Sequence, residues 1–531
     1  MPHRRALLSA LGLGAAPGWL ASPAMAQGPG GQVGTLRVGL AAPNTTLDPH
    51  LLSNAPNNAV ATHVFDSLVV NDEASRSVPG LAESWSRESD TRWIFRLRET
   101  RFTDGAPLTP QDIITSIRRA NDIPSAASFR TYTRSVARME APDARTLIVE
   151  TRAPDPLLLN SLSRVRVIAA RFAEAPSAEF NAGRAVIGTG PYTLREYIPG
   201  NRITLARNDA WWGGRTPWET VVLRVVTDDA ARLAALLAGD LDIIEAVPTA
   251  NAERVRSDAR LHLIRGISSR FVYVSLDQVN DASPFVTGND GRPLDRNPLK
   301  DRRVREALSL AINRDAMRDR VMEGDAILAS QFLPKGGAGA SDAVDVPPYD
   351  PARARALLAE AGYPRGFRLT VHGPNDRFVN DAKIVQALAG FFTRIGVESR
   401  AEVMPWTTYA GRNRDRTELS CFIGSWGVNT GETSNPLSAL VATEDPRAGM
   451  GASNRGRYSN PELDRRLAEA LRTLDDSRRN ALLAEASEIA FRDVAVIPLH
   501  HEVSVWAARR GVGYTTRADQ YTLAMGVTRD G

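Results

Sequence analysis

Few side chains in this sequence are spaced for chemistry. His500, His501 and Glu502 stand together near the C-terminus and are of the types that hold transition metals. They follow Ile497-Pro498-Leu499, where a strand is expected, and successive strand side chains point to opposite faces, so the two histidines cannot share one site. Gly188-Thr189-Gly190 begins like a dinucleotide loop, but Pro191-Tyr192 follows and the third glycine of that fingerprint is absent. A structural turn is expected there. Asp475-Asp476 is an acidic pair, yet Asp476 stands where an N-cap belongs before Leu482, Leu483 and Ala486. The single cysteine, Cys421, is in phase with Leu419 and Ile423 on an expected strand, as a core thiol would be. A lone cysteine excludes an internal disulfide and a cysteine-rich metal site. No G-x-S-x-G, H-E-x-x-H, Walker or S-x-x-K pattern occurs. The expectation is a protein that is not an enzyme and carries no cofactor and no metal.

The elements that would position a site alternate along the chain. Trp93 to Arg98 reads as a half-buried strand. Thr109 caps a helix, with Pro110 at its first position, Asp112 completing a capping box, and Ile113, Ile114 and Ile117 as its buried stripe. Asp350-Pro351 starts a helix that stops at Gly362. Val304, Leu308, Ala311 and Ile312 form another stripe, as do Ile384, Leu388, Phe392 and Ile395 before Gly396. Asn460-Pro461 opens a helix carrying Leu463, Leu467, Leu471 and Leu474. Strands are expected at Leu36 to Ala41, Thr220 to Thr227, Phe271 to Leu276, Phe367 to His372, Val397 to Met404 and Val503 to Ala507. Asn280 to Asn297 reads as a polar surface insertion. Mixed elements over 531 residues imply layered α/β domains.

The chain is 43% hydrophobic and 24% charged, as a soluble protein with a core is. All but three of its 65 basic residues are arginine, but the net charge is only +4 and no block of five like charges occurs, which excludes a dedicated nucleic-acid face. Arg4-Arg5, the apolar run Ala6 to Ala16 and Ala24-Met25-Ala26 make an export signal, expected to be cut between Ala26 and Gln27. The arginine pair favours the twin-arginine route. Pro17, Gly18 and Pro23 break the run too early for a membrane anchor. With no cysteine after the cut, the mature chain is expected in the periplasm, soluble and not lipid-anchored.

Several stretches together resemble the family 5 solute-binding proteins of ABC importers, the oligopeptide-, dipeptide- and nickel-binding group. They are Leu47-Asp48-Pro49-His50; Leu81-Ala82-Glu83-Ser84-Trp85 running on to Phe102-Thr103-Asp104-Gly105; Gly188 to Tyr192 with Asn208 to Trp212; Val304-Arg305-Glu306-Ala307 with Ala311 to Arg314; Tyr349-Asp350-Pro351 with Ala361-Gly362-Tyr363; and Tyr458-Ser459-Asn460-Pro461. Their order is the family's. The resemblance implies an α/β, two-lobed periplasmic-binding-protein fold with a hinge and an additional third domain. Lobe I would comprise 27–57, 186–270 and 501–531, the extra domain 58–185, and lobe II 271–500. Closure of the lobes would bury a solute.

The resemblance also places a site. Family peptide binders hold an extended peptide between two strands. One would be Ser53, Asn54 and Ala55; the other runs Ser425-Trp426-Gly427 to Asn429. In the peptide-binding members an aspartate three residues after the tryptophan meets the ligand ammonium. Here that residue is Asn429, whose neutral amide gives no charge-assisted bond and suits a blocked or neutral group. Glu432 is the nearest replacement anion. Trp406 falls at a pocket tryptophan, Asn454 at a ligand-proximal asparagine, and Arg377 and Lys383 near an arginine that meets a ligand carboxylate. The implied partners are a peptide or peptide-like solute and ABC permease subunits, with the protein a monomer. The alternatives are a nickel chelate, an opine-like conjugate or an oligosaccharide as solute, or an exported hydrolase.

Overall fold

The structure, a computed structural model, describes residues 34–125, 127–414, 418–428 and 430–529. The expected cleavage pair Ala26 and Gln27, the arginines Arg4 and Arg5, and Asn429 lie outside the described residues.

Local rules set many of the helices. Asn54 Oδ1 accepts from Asn57 N at 3.0 Å to cap Ala55–Val64, and Thr109 N donates to Asp112 Oδ2 at 2.8 Å at the start of Pro110–Asp122. Asp350 caps Pro351–Glu360 and Asn460 caps Pro461–Ala470. Two expectations shift here. The cap of Asp476–Arg492 is Asp475, not Asp476, because it is the Asp475 carboxylate that accepts from Arg478 N. The helix from Pro461 ends at Ala470, so Leu474 lies beyond it and packs instead against the core that contains Trp93 and Phe95.

Among the described residues, twelve strands form one continuous sheet. One end holds Thr35–Leu40, Thr220–Val225, Arg202–Arg207 and Tyr192–Ile198; the other holds Cys421–Gly427, Arg368–Pro374, Glu398–Met404 and Val286–Thr287. Two long antiparallel strands, Leu261–Leu276 and Ile497–Arg509, run through both ends and join them. Their register slips midway: Ile267 faces Val503 and Phe271 faces His501, so Ser268, Ser269 and Arg270 stand opposite Glu502 alone. Such a bulge bends a ladder and weakens pairing locally. A separate four-stranded sheet, Ala82–Arg87, Arg92–Leu97, Thr146–Thr151 and Val136–Glu140, packs its apolar face on Pro110–Asp122.

The cores follow this layout. One gathers Leu36, Val38, Val221, Leu223 and Trp506. It also takes Val60, Val64, Ile168 and Phe180, so the helix Ala55–Val64 straddles the expected 57/58 boundary yet packs with the first core. A second core lies under the four-stranded sheet. Two more, around Val272, Leu308 and Phe392 and around Phe271, Leu437 and Leu483, fill the part between 271 and 499. The segment 280–297 is not only a surface insertion: Val286–Thr287 pairs with Arg368–Pro374 and buries Val286. Among the described residues no helix is long and apolar enough to cross a membrane.

Candidate functional site

The strand Cys421–Gly427 carries the main feature of the site. It pairs antiparallel with Leu261–Leu276 in one register, from Leu276 opposite Cys421 to Arg270 opposite Gly427. Asp277 N donates to Ser420 O at 2.8 Å and Val428 N to Ser269 O at 2.9 Å, both in that register. Bonded pairs alternate along an antiparallel ladder. Trp426 and Gly424 therefore bond toward Leu261–Leu276, and the N–H and C=O groups of Ser425 and Gly427 point the other way. On that other side the parallel pairing with Arg368–Pro374 ends at Phe422, and the Ile423 carbonyl is taken by the Tyr409 hydroxyl at 2.5 Å. Among the described residues no strand covers the edge at Ser425 and Gly427.

Around this edge stand charged groups from three elements. Arg270 donates Nη1 to Ser425 Oγ at 3.3 Å, and its Nε lies 3.5 Å from Glu502 Oε2 and 3.4 Å from Gln520 Oε1. Burial raises the Glu502 carboxyl above the usual carboxylate range, opposed by Arg270, Gln520 and Arg377. Arg377 comes from the loop before Asp381–Thr393 and lies 5.2 Å over the Trp406 ring. The enclosing protein holds its guanidinium below the ordinary arginine value, Arg270 adds to this, and Glu502 and Asp376 oppose it. Arg377 is exposed to water, with Arg270, Glu502 and Asp376 as its charged neighbours. The same loop meets the short turn Thr249–Asn251, where Asn380 Nδ2 donates to Thr249 Oγ1 at 3.0 Å.

The expected site residues divide accordingly. Ser425, Gly427, Arg377 and Trp406 belong to one neighbourhood, with Arg270, Glu502 and Gln520 added. Trp426 lies on the opposite face, donating Nε1 to Asn435 Oδ1 at 2.7 Å and packing partly into the core around Phe271. Ser53, Asn54 and Ala55 do not form the expected strand. Ser53 N is spent on Ala127 O at 2.8 Å, Asn54 is a helix cap and Ala55 begins the helix. Asn454 is buried, and both of its amide protons go to backbone, to Ala442 O at 2.9 Å and Tyr458 O at 2.7 Å. It staples its own turn and has no donor left for a solute, which corrects that expectation. Lys383 pairs with Glu323 at 3.4 Å. Glu432 is buried against Arg479 at 3.1 Å, so its charge is already met.

Sequence reasoning missed Arg270 because it stands among Ser268, Ser269 and Phe271 with no motif around it. It reached Glu502 only as part of a supposed metal cluster. His500 and His501 are both buried in Ile497–Arg509, and burial pushes them down to about 3 and about 4, so both are neutral at physiological pH.

Two sheet halves joined by long strands, with an unpaired backbone edge and charged groups at the junction, define a protein that encloses a small molecule between lobes. Residues 76–446 match the model of the bacterial extracellular solute-binding proteins, family 5, and the chain belongs to that family, the solute-binding components of ABC transporters. It is 26% identical to heme-binding protein A of Haemophilus influenzae over 91% of this chain and 89% of the relative. It is 28% identical to the glutathione-binding protein GsiB of Salmonella choleraesuis over 86% of each. Among solved structures it resembles HbpA2 from Haemophilus parasuis, with a TM-score of 0.80 and 21% identity over 93% of this chain and 100% of that one. It also resembles the periplasmic binding protein DppA of Helicobacter pylori in complex with a peptide, with a TM-score of 0.72 and 21% identity over 94% and 98% of the two chains. The fold is that of the family's α/β periplasmic binding proteins.

Proposed function

We propose that this protein binds peptides or peptide-like solutes along the open edge at Ser425 and Gly427 and delivers them to the permease subunits of its ABC transporter. The observation that carries this is the backbone N–H and C=O groups of Ser425 and Gly427, which no strand covers among the described residues. Backbone pairing accepts any side chain, so it selects an amide chain without selecting its sequence. Arg377 stacked on Trp406 supplies an aromatic and cationic wall beside that edge. Lobe I as 27–57, 186–270 and 501–531, an extra domain at 58–185 and lobe II at 271–500 remain our division, with the helix Ala55–Val64 moved to lobe I on its packing. The protein acts as a soluble periplasmic monomer without a lipid anchor, and it performs no catalysis.

Native mass spectrometry of gently purified protein, followed by hydrogen exchange with the released ligand, tests the reading. A retained amide-containing solute and slowed exchange at the Ser425 and Gly427 amides are expected. A retained metal chelate or sugar, or unchanged exchange at these two amides, would overturn it. Turnover of chromogenic ester, amide or glycoside substrates would overturn the non-catalytic part.

A further inference from the structure

The turn between the helices Pro461–Ala470 and Asp476–Arg492 joins two cores. Leu471, at its start, packs against the core around Phe271 and Leu437. Leu474, three residues on, packs against the core that contains Trp93 and Phe95, under the four-stranded sheet. Arg87, the last residue of Ala82–Arg87, closes over this contact. Its guanidinium lies 5.9 Å from the centre of the Trp93 ring, and its Nη1 donates to Leu474 O at 3.4 Å.

Two further contacts grip the chain where it leaves the strand Cys421–Gly427. Thr430 O accepts from Asn160 Nδ2 at 3.3 Å, and Asn160 stands on the helix Leu158–Leu162. Gly431, at φ +74°, lies so close to the tip of the hairpin Val69–Asn71 and Ser77–Pro79 that a Cβ on it would stand 3.0 Å from Ser75 O. Ser75 holds φ +64°, a conformation unfavourable for a residue with a side chain. Asp72 fixes it there, its Oδ1 accepting from Ala74 N at 3.0 Å and from Arg76 N at 2.8 Å, while its carbonyl accepts from Ser75 N at 3.1 Å. The tip is therefore formed by its own bonds and presented ready-made to Gly431.

Arg87, Asn160 and Ser75 belong to one body with the first core. Arg119 of Pro110–Asp122 pairs with Asp48 at 2.7 Å, both buried, and Phe172 packs against the first core and the second alike. Thr430, Gly431 and Leu474 belong to the part between 271 and 499, which the two long strands tie to the first core across their slip between Ile267 and Phe271. Rotation about that slip preserves only contacts on its axis. A strand end, a helix and a hairpin tip do not share one axis, so the two parts cannot rotate until these contacts separate. The contacts are also weak enough to separate: one half-buried leucine, and two hydrogen bonds at the long end of the range.

We propose that Leu474 and Arg87, with Asn160 and Ser75, form a clasp that holds the two parts closed, and that its release lets the molecule open at the slip of the long strands. The clasp acts on closure itself and is independent of the kind of solute.

Dipolar spectroscopy on the dialysed protein, spin-labelled at Arg138→Cys in the four-stranded sheet and at Asp281→Cys in the part between 271 and 499, reads the separation of the two parts. Both positions are exposed, and Cys421 is buried and takes no label. Without added solute, one distance should dominate. Leu474→Asp should raise the population of a second distance about tenfold, the scale of losing a half-buried leucine. Asn160→Ala should move the populations the same way by about threefold, the scale of one hydrogen bond, and serves if Leu474→Asp does not fold. A role in packing alone would lower the melting temperature and leave the distances as they are. Unchanged distances in the folded variants therefore overturn the proposal, as does a parent protein that already populates the two distances equally.

Discussion

Arg270 Nε stands 3.5 Å from Glu502 Oε2 at the place where the two long strands lose register. Among the described residues these two strands alone run through both halves of the sheet, so their bulge is where the halves can bend against each other. A buried carboxylate at such a bend is stable only while its cation stays beside it. Arg270 also donates to Ser425 Oγ on the uncovered edge, so one side chain links that edge to the bend.

Removing Arg270 should therefore expose the cost of Glu502. Because burial raises the Glu502 carboxyl, the folded protein binds that proton more tightly than the unfolded chain. The contribution to stability then falls as pH rises from the ordinary carboxylate range through the raised value. Arg270→Met removes the main opposing cation and widens that window. We expect a loss of about 3 kcal/mol at pH 7, the scale of an orphaned buried charge, and a distinctly smaller loss at pH 4, read from urea midpoints. Equal losses at both pH values would show that Arg270 does not compensate Glu502.

The turn Gly188-Thr189-Gly190 acts by close approach. Gly190 N donates to Val64 O at 2.9 Å, and a Cβ on Gly188 would lie 2.0 Å from that same oxygen. Thr189 fixes the turn through Asp66 at 2.9 Å. Gly188→Ala should cost about 3 kcal/mol, at the upper end for overpacking. Gly390, inside Asp381–Thr393 with nothing near its missing Cβ, should behave in the opposite sense. Gly390→Ala should gain about 0.5–1 kcal/mol from helix propensity. Thermal denaturation of both variants checks the contrast, and matched shifts of the same sign would refute it.

What the sequence made legible was whatever local rules decide. Thr109-Pro110, Asp350-Pro351 and Asn460-Pro461 each open a helix, because a cap satisfies backbone donors within its own turn. The long strands were read only in part, as Phe271 to Leu276 and Val503 to Ala507. Arg265, Gly266, Ser268 and Ser269 interrupt the alternation that marks a strand, and their pairing is set by partners far along the chain. The same distance hid the site. Arg270 meets Glu502, and Arg377 meets Trp406, only after the sheet has assembled. Asn454 misled for the converse reason: its position matched a ligand residue, but its amide serves the turn that ends at Tyr458.

Export rests on the sequence alone. Arg4 and Arg5 precede an apolar run interrupted by glycine, which favours a route that reads a guanidinium pair. Replacing both with lysine keeps the charge and removes the fork geometry. Fractionation should then find the precursor in the cytoplasm and no mature protein outside it. Unimpaired export of the double variant would assign the chain to the general route.

Trp406 and Trp426 should separate binding from folding. Trp406 is 36% exposed and begins the helix Trp406–Arg414, with Arg377 above its ring and Phe378 6.0 Å away. Trp426 is anchored to Asn435 and packs into the core around Phe271 and Leu437. On the proposed reading, loss of Trp406 removes an aromatic neighbour of the Ser425 and Gly427 edge and little of the core. Trp406→Ala should thus weaken solute binding about tenfold, the scale of an aromatic and cation–π contact in a partly desolvated site, while moving the ligand-free melting temperature by no more than a degree or two. Trp426→Ala should lower the ligand-free stability by about 2–3 kcal/mol, because it removes a half-buried ring and strands the Asn435 amide. The measurement is paired: calorimetric affinity for the co-purified solute and melting of the empty protein, on each variant. Were Trp406→Ala to unfold the empty protein as much as Trp426→Ala does, Trp406 would be core and the proposed solute contact beside Ser425 and Gly427 would need another side chain.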